Sequence, residues 1–289
     1  MTSNLKLMCA LAHPDDESLG TGGILAKYAA EGIKTYLVTA TRGERGWFGA
    51  PDEYPGPAAL GRIREAELYA AAGVLGLQEV AFLDYRDGEL DQVDPGGAIA
   101  RIVDHLRRVR PQVVVTFDPA GAYGHPDHIA ISQLTTAAIV AAADPGYAEA
   151  QPWPPHRVSK LYYFAAIAQK IAAYQAAFGE LTLEVDGLQR RAVPWEPWGI
   201  TTRIETGAYW RRIWEAIACH RSQLPGYEAL TNLPEAQRQN LWGTETYYRA
   251  LSLVNGGRAI EQDLFQGLRF SVNGRQKAYP AATATRSGI

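Results

Sequence analysis

The chain has 289 residues, 47% of them hydrophobic, enough for one large core or a core with a smaller accessory part, and not the composition of a disordered chain. Lys+Arg 28 against Asp+Glu 31 leaves a formal net charge of −3, which gives no electrostatic footprint for nucleic acid or an anionic membrane. The only cysteines, Cys9 and Cys219, lie far apart, so neither a disulfide framework nor a thiolate metal cage is indicated.

Residues 5–12 form a continuous apolar run, as in a strand covered on both faces of a parallel sheet. Gly20, Gly22 and Gly23 are read as loosening the chain and, with the G-x-G-x-x-G order absent, as close packing and not a dinucleotide site, before a short helix over 24–31 that stops at Gly32. A second strand is expected at 34–40. The stretch 41–57 is rich in glycine and proline and reads as a long, function-bearing loop. A helix over 60–75 stops at Gly76, and a third strand covers 80–83. Ile99, Ile102, Val103 and Leu106 sit at helical spacing, with Asp104, Arg107 and Arg108 opposite. Pro111 ends that helix, and a fourth strand runs over 113–117. A helix over 128–143 and a strand near 161–165 complete the first half.

This alternation predicts an α/β fold: a Rossmann-like, doubly wound, mainly parallel sheet with a smaller C-terminal mixed α/β part. Residues 1–150 are expected to form the core. The proline-rich stretch 148–155 marks the shift to 151–289, which would complete the sheet and the substrate pocket, either as a separate part or within one continuous domain. Strands are expected there at 181–185, 200–204 and 248–254, with a helix over 208–221. The N-terminal apolar run is too short for a signal peptide, and no stretch approaches the ~20 apolar residues of a membrane span. A soluble, cytoplasmic protein is expected.

In open α/β sheets, ligands bind at the carboxyl ends of strands. The first strand ends in Ala12-His13-Pro14-Asp15-Asp16-Glu17, and the fourth runs through Asp118-Pro119 to Tyr123-Gly124-His125-Pro126-Asp127-His128. Both deliver imidazoles and carboxylates to one edge. His13, Asp16 and His128 would give a catalytic zinc site its three protein ligands and leave a position for water. Asp15 is then free as general base. His125 is free as a cation or proton donor toward an oxyanion and leaving amine. These are the parts that amide hydrolysis requires.

The two motifs, A-H-P-D-D-E and G-H-P-D-H, resemble those of the LmbE/PIG-L family of zinc-dependent N-acetylglucosaminyl de-N-acetylases, and Asp118-Pro119 with Tyr123-Gly124 is similar to its mycothiol-precursor branch. The resemblance covers residues 5–145. It implies a Rossmann-like fold and zinc-dependent removal of acetyl from an N-acetylated amino sugar or glycoside. It places the ligands on His13, Asp16 and His128, the base on Asp15 and the stabilising histidine on His125. It further implies that Asp127 orients His125 and that Tyr123 polarises the carbonyl. Thr39-x-Thr41-x-Gly43-Glu44 and Arg64-x-x-Glu67 also fit the family, so Glu44 and Arg64 join His220 as candidate substrate contacts. Fe²⁺ is an alternative occupant of a His-His-Asp site.

Two other functions are weighed. An amidase for thiol conjugates or another N-acylated glycoside differs only in substrate. A non-catalytic sugar- or nucleotide-binding module would need neither Asp15 nor His125. Composition leaves homo-oligomerisation open. Among the remaining histidines, His105 reads as surface and His156 has no assigned role. His220 shares a face with Ile213 and Ile217, which suits a core residue as well as a pocket residue.

Overall fold

The computed structural model describes residues 4–147, 152–180 and 182–269. Its strands are β1 (Lys6–Leu11), β2 (Lys34–Thr41), β3 (Glu79–Tyr85), β4 (Val113–Phe117), β5 (Lys160–Phe164), β6 (Thr182–Val185), β7 (Leu188–Arg191), β8 (Thr202–Glu205) and β9 (Thr244–Ser252). Seven of them form one central sheet in the order β3-β2-β1-β4-β5-β9-β8, and β6 and β7 make a separate hairpin. The first five strands pair in parallel, whereas β9 runs antiparallel to both β5 and β8. The fold class is the α/β arrangement expected. The sheet runs without a break from the N-terminal strands to strands beyond residue 200.

Helices α1 (Asp16–Ala30), α2 (Pro57–Leu75), α3 (Pro95–Val109) and α5 (Pro126–Ala143) connect the parallel strands, with a four-residue turn of helix, α4 (Gly121–Gly124), ahead of α5. Past β5 come α6 (Ala168–Phe178), α7 (Trp210–Cys219), α8 (Glu228–Thr231) and α9 (Glu235–Leu241). No described helix is long and apolar enough to cross a membrane. Residues 148–151 of the proline-rich stretch, and 181 at the head of an expected strand, lie outside the described residues.

Burial explains the elements. β1 and β4 are enclosed on both faces, and their side chains form the main core with Leu25, Ile102, Leu106 and Ile131. A second cluster of Trp210, Ile213, Ile217, Leu230, Leu241 and Trp242 holds the C-terminal helices together. Because order reverses between β1 and β4, their carboxyl ends open a crevice at the switch point.

The glycines after the first motif do not interrupt the chain. Helix α1 runs straight through them. Gly22 lies against Ile213 of α7, and a Cβ on Gly23 would sit 2.5 Å from Glu245 Oε1 and 2.6 Å from Thr206 Cβ. The missing side chain lets Glu245 reach the helix backbone, where it accepts from Gly23 N at 2.7 Å and Ile24 N at 3.1 Å. Close approach, not a break, is what these residues provide. Replacing Gly23 by Ala should therefore lower the unfolding free energy by about 1–3 kcal/mol. Gly20→Ala, where nothing lies within 4 Å, should be neutral or gain up to ~1 kcal/mol. Urea unfolding decides, and equal stability of the two variants would remove the close-approach argument.

A buried polar network ties the segment after β9 to the sheet. Glu261 accepts from Lys160 Nζ at 2.8 Å, Arg249 Nη1 at 2.9 Å and Tyr162 OH at 2.7 Å. Burial alone would raise its carboxyl, but the hydrogen bonds from Lys160, Asn255 and Tyr162 outweigh it and hold the group down to about 2. A carboxyl lowered on folding contributes stability above its unfolded value of ~4.3, lost as pH falls toward 2. The stability gap between wild type and Glu261→Gln should thus shrink from pH 5 to pH 2, and a pH-independent gap in urea melts would contradict this.

Candidate metal-dependent active site

At the end of β1 the chain turns sharply. Asp15 adopts a left-handed conformation (φ 96°), and its backbone carbonyl starts α1 by accepting from Ser18 N and Leu19 N. Its side chain caps nothing. That of Asp16 folds back instead, accepting from His13 N at 2.8 Å and Ala12 N at 3.2 Å. Beyond β4, Asp118 holds the second motif: Oδ1 accepts from Ala122 N and Oδ2 from Trp195 Nε1, both at 2.8 Å. Pro126 is the first residue of α5, and His125 caps it by accepting from Asp127 N on Nδ1 at 3.2 Å.

The two turns bring His13, Asp16 and His128 together, with one donor atom from each within 4.8 Å of the others. His128 Nε2 lies 3.3 Å from His13 Nδ1 and 3.5 Å from Asp16 Oδ1. His13 Nε2 is 3.1 Å from both Asp127 Oδ2 and Asp87 Oδ1. Carboxylates only accept, so Nε2 carries a proton, and a ring protonated there alone would present its Nδ1 lone pair to His128. Two ring nitrogens and a carboxylate facing one point need a proton or a cation between them. Ligands at zinc distances of ~2.0–2.1 Å around a tetrahedral ion lie ~3.3 Å apart, so the observed spacings fit a small divalent metal.

The same two carboxylates also favour a second proton on the His13 ring, which a bound cation would displace. Burial opposes protonation of His13, but the hydrogen bonds to Asp127 and Asp87 overcome it and push the ring up to about 10. Burial, followed by His13 and His125, keeps His128 well below the ordinary histidine range. Burial raises Asp16 to about 7 against the pull of His13. His125, packed edge-on to His13 and stacked on His128 at 4.8 Å, is pushed down to about 4 by burial and then by His13. The Tyr123 ring lies 5.4 Å from His128 and 6.0 Å from His125. Burial and then the Asp16 and Asp15 charges keep its phenol protonated.

Other candidates take different places. The Asp127 carboxylate bonds to His13 and not to His125, because Gly88 N and Leu90 N hold it from the far side, at 2.7 and 3.0 Å. Only its backbone N–H reaches His125. Arg64 is buried under the first motif: Nη1 donates to Gly43 O, and Nη2 to Pro14 O and Asp15 Oδ2. Glu44 Oε1 accepts from Asp87 N, and Glu44 Oε2 is buried without a partner among the described residues. His220 is fully buried and pairs with Glu17 at 2.8 Å, while Glu17 Oε2 accepts from Asp15 N. All three candidate substrate contacts thus bond the motif or its supports.

Two residues were missed. Asp87 follows β3, a third strand ending on the same edge, so the Asp-Gly after its apolar run was the available signal. Tyr227 donates to Asp15 Oδ2 at 2.7 Å, and no sequence pattern marks it. A separate cavity of about 440 Å³, bordered by Lys170, Arg203, Glu205 and Gln237, includes none of these residues.

The model of the PIG-L family, described as GlcNAc-PI de-N-acetylase, matches residues 8–139. A 1D-myo-inositol 2-acetamido-2-deoxy-alpha-D-glucopyranoside deacetylase from Thermobispora bispora is 32% identical, over 89% of this chain and 96% of its own length. The chain belongs to the PIG-L family. A deacetylase of the same description from Streptomyces griseus subsp. griseus is 35% identical, over 96% of this chain and 94% of its own. The structure of a conserved protein from Thermus thermophilus superposes with a TM-score of 0.61 at 26% identity, covering 87% of this chain and 97% of that one. As a PIG-L family member the chain is a hydrolase of the metal-dependent deacetylase class, consistent with its His/Asp/His group.

The support from Asp87 can be tested apart from catalysis. Asp87→Asn should weaken metal binding roughly 10–100-fold, as loss of a carboxylate behind a ligating histidine does elsewhere. Competition with a chromophoric chelator measures it, and unchanged affinity would leave Asp87 without that role.

Proposed function

We propose that this chain removes the acetyl group from an N-acetylglucosamine-containing small molecule, with an inositol-linked sugar the first candidate, using zinc held by His13, Asp16 and His128. One observation carries the reading: three converging metal donors lie beside Asp15, a carboxylate none of them uses. The names of the relatives give the substrate class. Zinc in such a site supplies Lewis acidity, polarising the acyl carbonyl and bringing the pKa of water toward ~7.

The residues do the rest. Asp15 takes a proton from water as it attacks the acyl carbon. His125 must keep Nδ1 unprotonated to accept from Asp127 N, so its single proton sits on Nε2, available to the developing oxyanion. Tyr123, with its phenol protonated, is the second donor to that oxygen. When the C–N bond breaks, the proton held by Asp15 passes to the leaving nitrogen, which departs as the amine, and acetate is released. The described residues of the second half complete the pocket, contributing Tyr227 and Trp195 around the two motifs.

Acetate release from N-acetylglucosaminyl-inositol, from the malate-linked sugar and from a thiol-conjugate amide is the test. Each is assayed before and after chelation, with zinc and Fe²⁺ added back separately. Activity on an N-acetyl sugar that vanishes with chelator and returns with metal is expected. Cleavage of the thiol-conjugate amide alone would overturn the substrate assignment. Asp15→Asn should lose at least ~100-fold in kcat while keeping stoichiometric metal; a variant of wild-type activity would remove Asp15 as base.

A further inference from the structure

We propose that Tyr227 is a positioning residue for the general base: its hydroxyl locks one oxygen of Asp15 so that the other faces the attacking water. This rests on the deacetylase reading above. Tyr227 OH donates to Asp15 Oδ2 at 2.7 Å, and Arg64 Nη2 donates to the same atom at 3.1 Å. Among the described residues, none of the contacts made by Asp15 uses Oδ1. Two donors on one carboxylate oxygen fix the plane of the group and leave a defined oxygen for proton transfer, where a freely rotating carboxylate would present either.

The need for such a lock follows from the backbone. Asp15 sits at φ 96°, where a side chain is not held by helical packing, and it makes no capping bond to α1. Arg64 Nη2, whose other N–H serves Pro14 O, lies 3.1 Å from Asp15 Oδ2, a longer contact than the 2.7 Å from Tyr227. Tyr227 sits at the start of α8, and its ring packs beside Phe48 of the long loop, 6.3 Å between centroids. Burial, then the Asp15 charge, keeps the phenol a donor throughout the neutral range.

The experiment compares wild type with Tyr227→Phe, which keeps the ring and its packing. In the zinc-loaded enzyme, kcat should fall roughly 10-fold with KM within about twofold and metal content unchanged. In parallel, zinc-free protein labelled with carboxyl-¹³C aspartate should show the Asp15 resonance, assigned by its loss in Asp15→Asn, displaced by the substitution. Wild-type kcat, a rise in KM alone, loss of metal or an unmoved resonance would each overturn the proposal. If wild type cleaves no N-acetyl sugar, the deacetylase reading fails by itself, and the resonance still decides whether Tyr227 holds Asp15.

Discussion

A histidine ring nitrogen shared by two carboxylates governs this site. His13 Nε2 lies 3.1 Å from both Asp127 and Asp87, which fixes one proton on Nε2 and turns Nδ1, the atom a metal would take, toward His128 and Asp16. Each carboxylate is in turn anchored by backbone, Asp127 by Gly88 N and Leu90 N, and Asp87 by Arg45 N. Three separate strand ends, those of β1, β3 and β4, therefore meet at one imidazole. Displacing any of them would rotate the ring and spoil the convergence of donors.

The fold supplies strain where chemistry needs it. Asp15 at φ 96° and Ala122 at φ 61° are non-glycine residues in sparsely populated conformations, each costing of order 1–3 kcal/mol. Both lie at the carboxyl ends of fully enclosed strands, where β1 and β4 are held by the largest apolar cluster in the molecule. Each is also tied locally, Asp15 through Glu17 to its backbone N–H and Ala122 through Asp118. A rigid sheet edge keeps unfavourable turns in place that a flexible loop would relax.

What could be read from the sequence follows its periodicities. Buried parallel strands are continuous apolar runs, and amphipathic α3 shows its face plainly, so the sheet and its helices were legible. The two histidine motifs were legible because each follows such a strand. Of the two readings of the α1 glycines, close packing holds at Gly22 and Gly23 and loosening of the chain does not, a choice that only the positions of Ile213, Thr206 and Glu245 make. Strand β6 falls within the strand expected at 181–185, but its partner β7 was missed although Asp186-Gly187, both at positive φ, is a common two-residue hairpin signal. Arg64, Glu44 and His220 all bond the motif or its supports, and spacing alone does not distinguish a residue that touches a substrate from one that supports a carboxylate. Asp87 and Tyr227 depend on contacts across 74 and 212 residues from the motif, a range at which local pattern carries no information.

These distant contacts also explain why the motif depends on the chain's second half. Helix α1, which begins the metal site, is held at successive points along its first half. Tyr227 bonds Asp15, His220 pairs with Glu17, Tyr174 OH donates to Leu19 O at 2.6 Å, and Glu245 accepts from Gly23 and Ile24. All four partners come from beyond residue 170. The Glu17–His220 pair is fully buried, and a broken pair of that kind typically costs about 3–5 kcal/mol, more than most single surface contacts contribute. A sequence that kept A-H-P-D-D-E but lost these partners would keep the ligand types and lose the orientation of the helix that presents them. The metal chemistry is written in the first 130 residues, and its geometry is enforced by the rest.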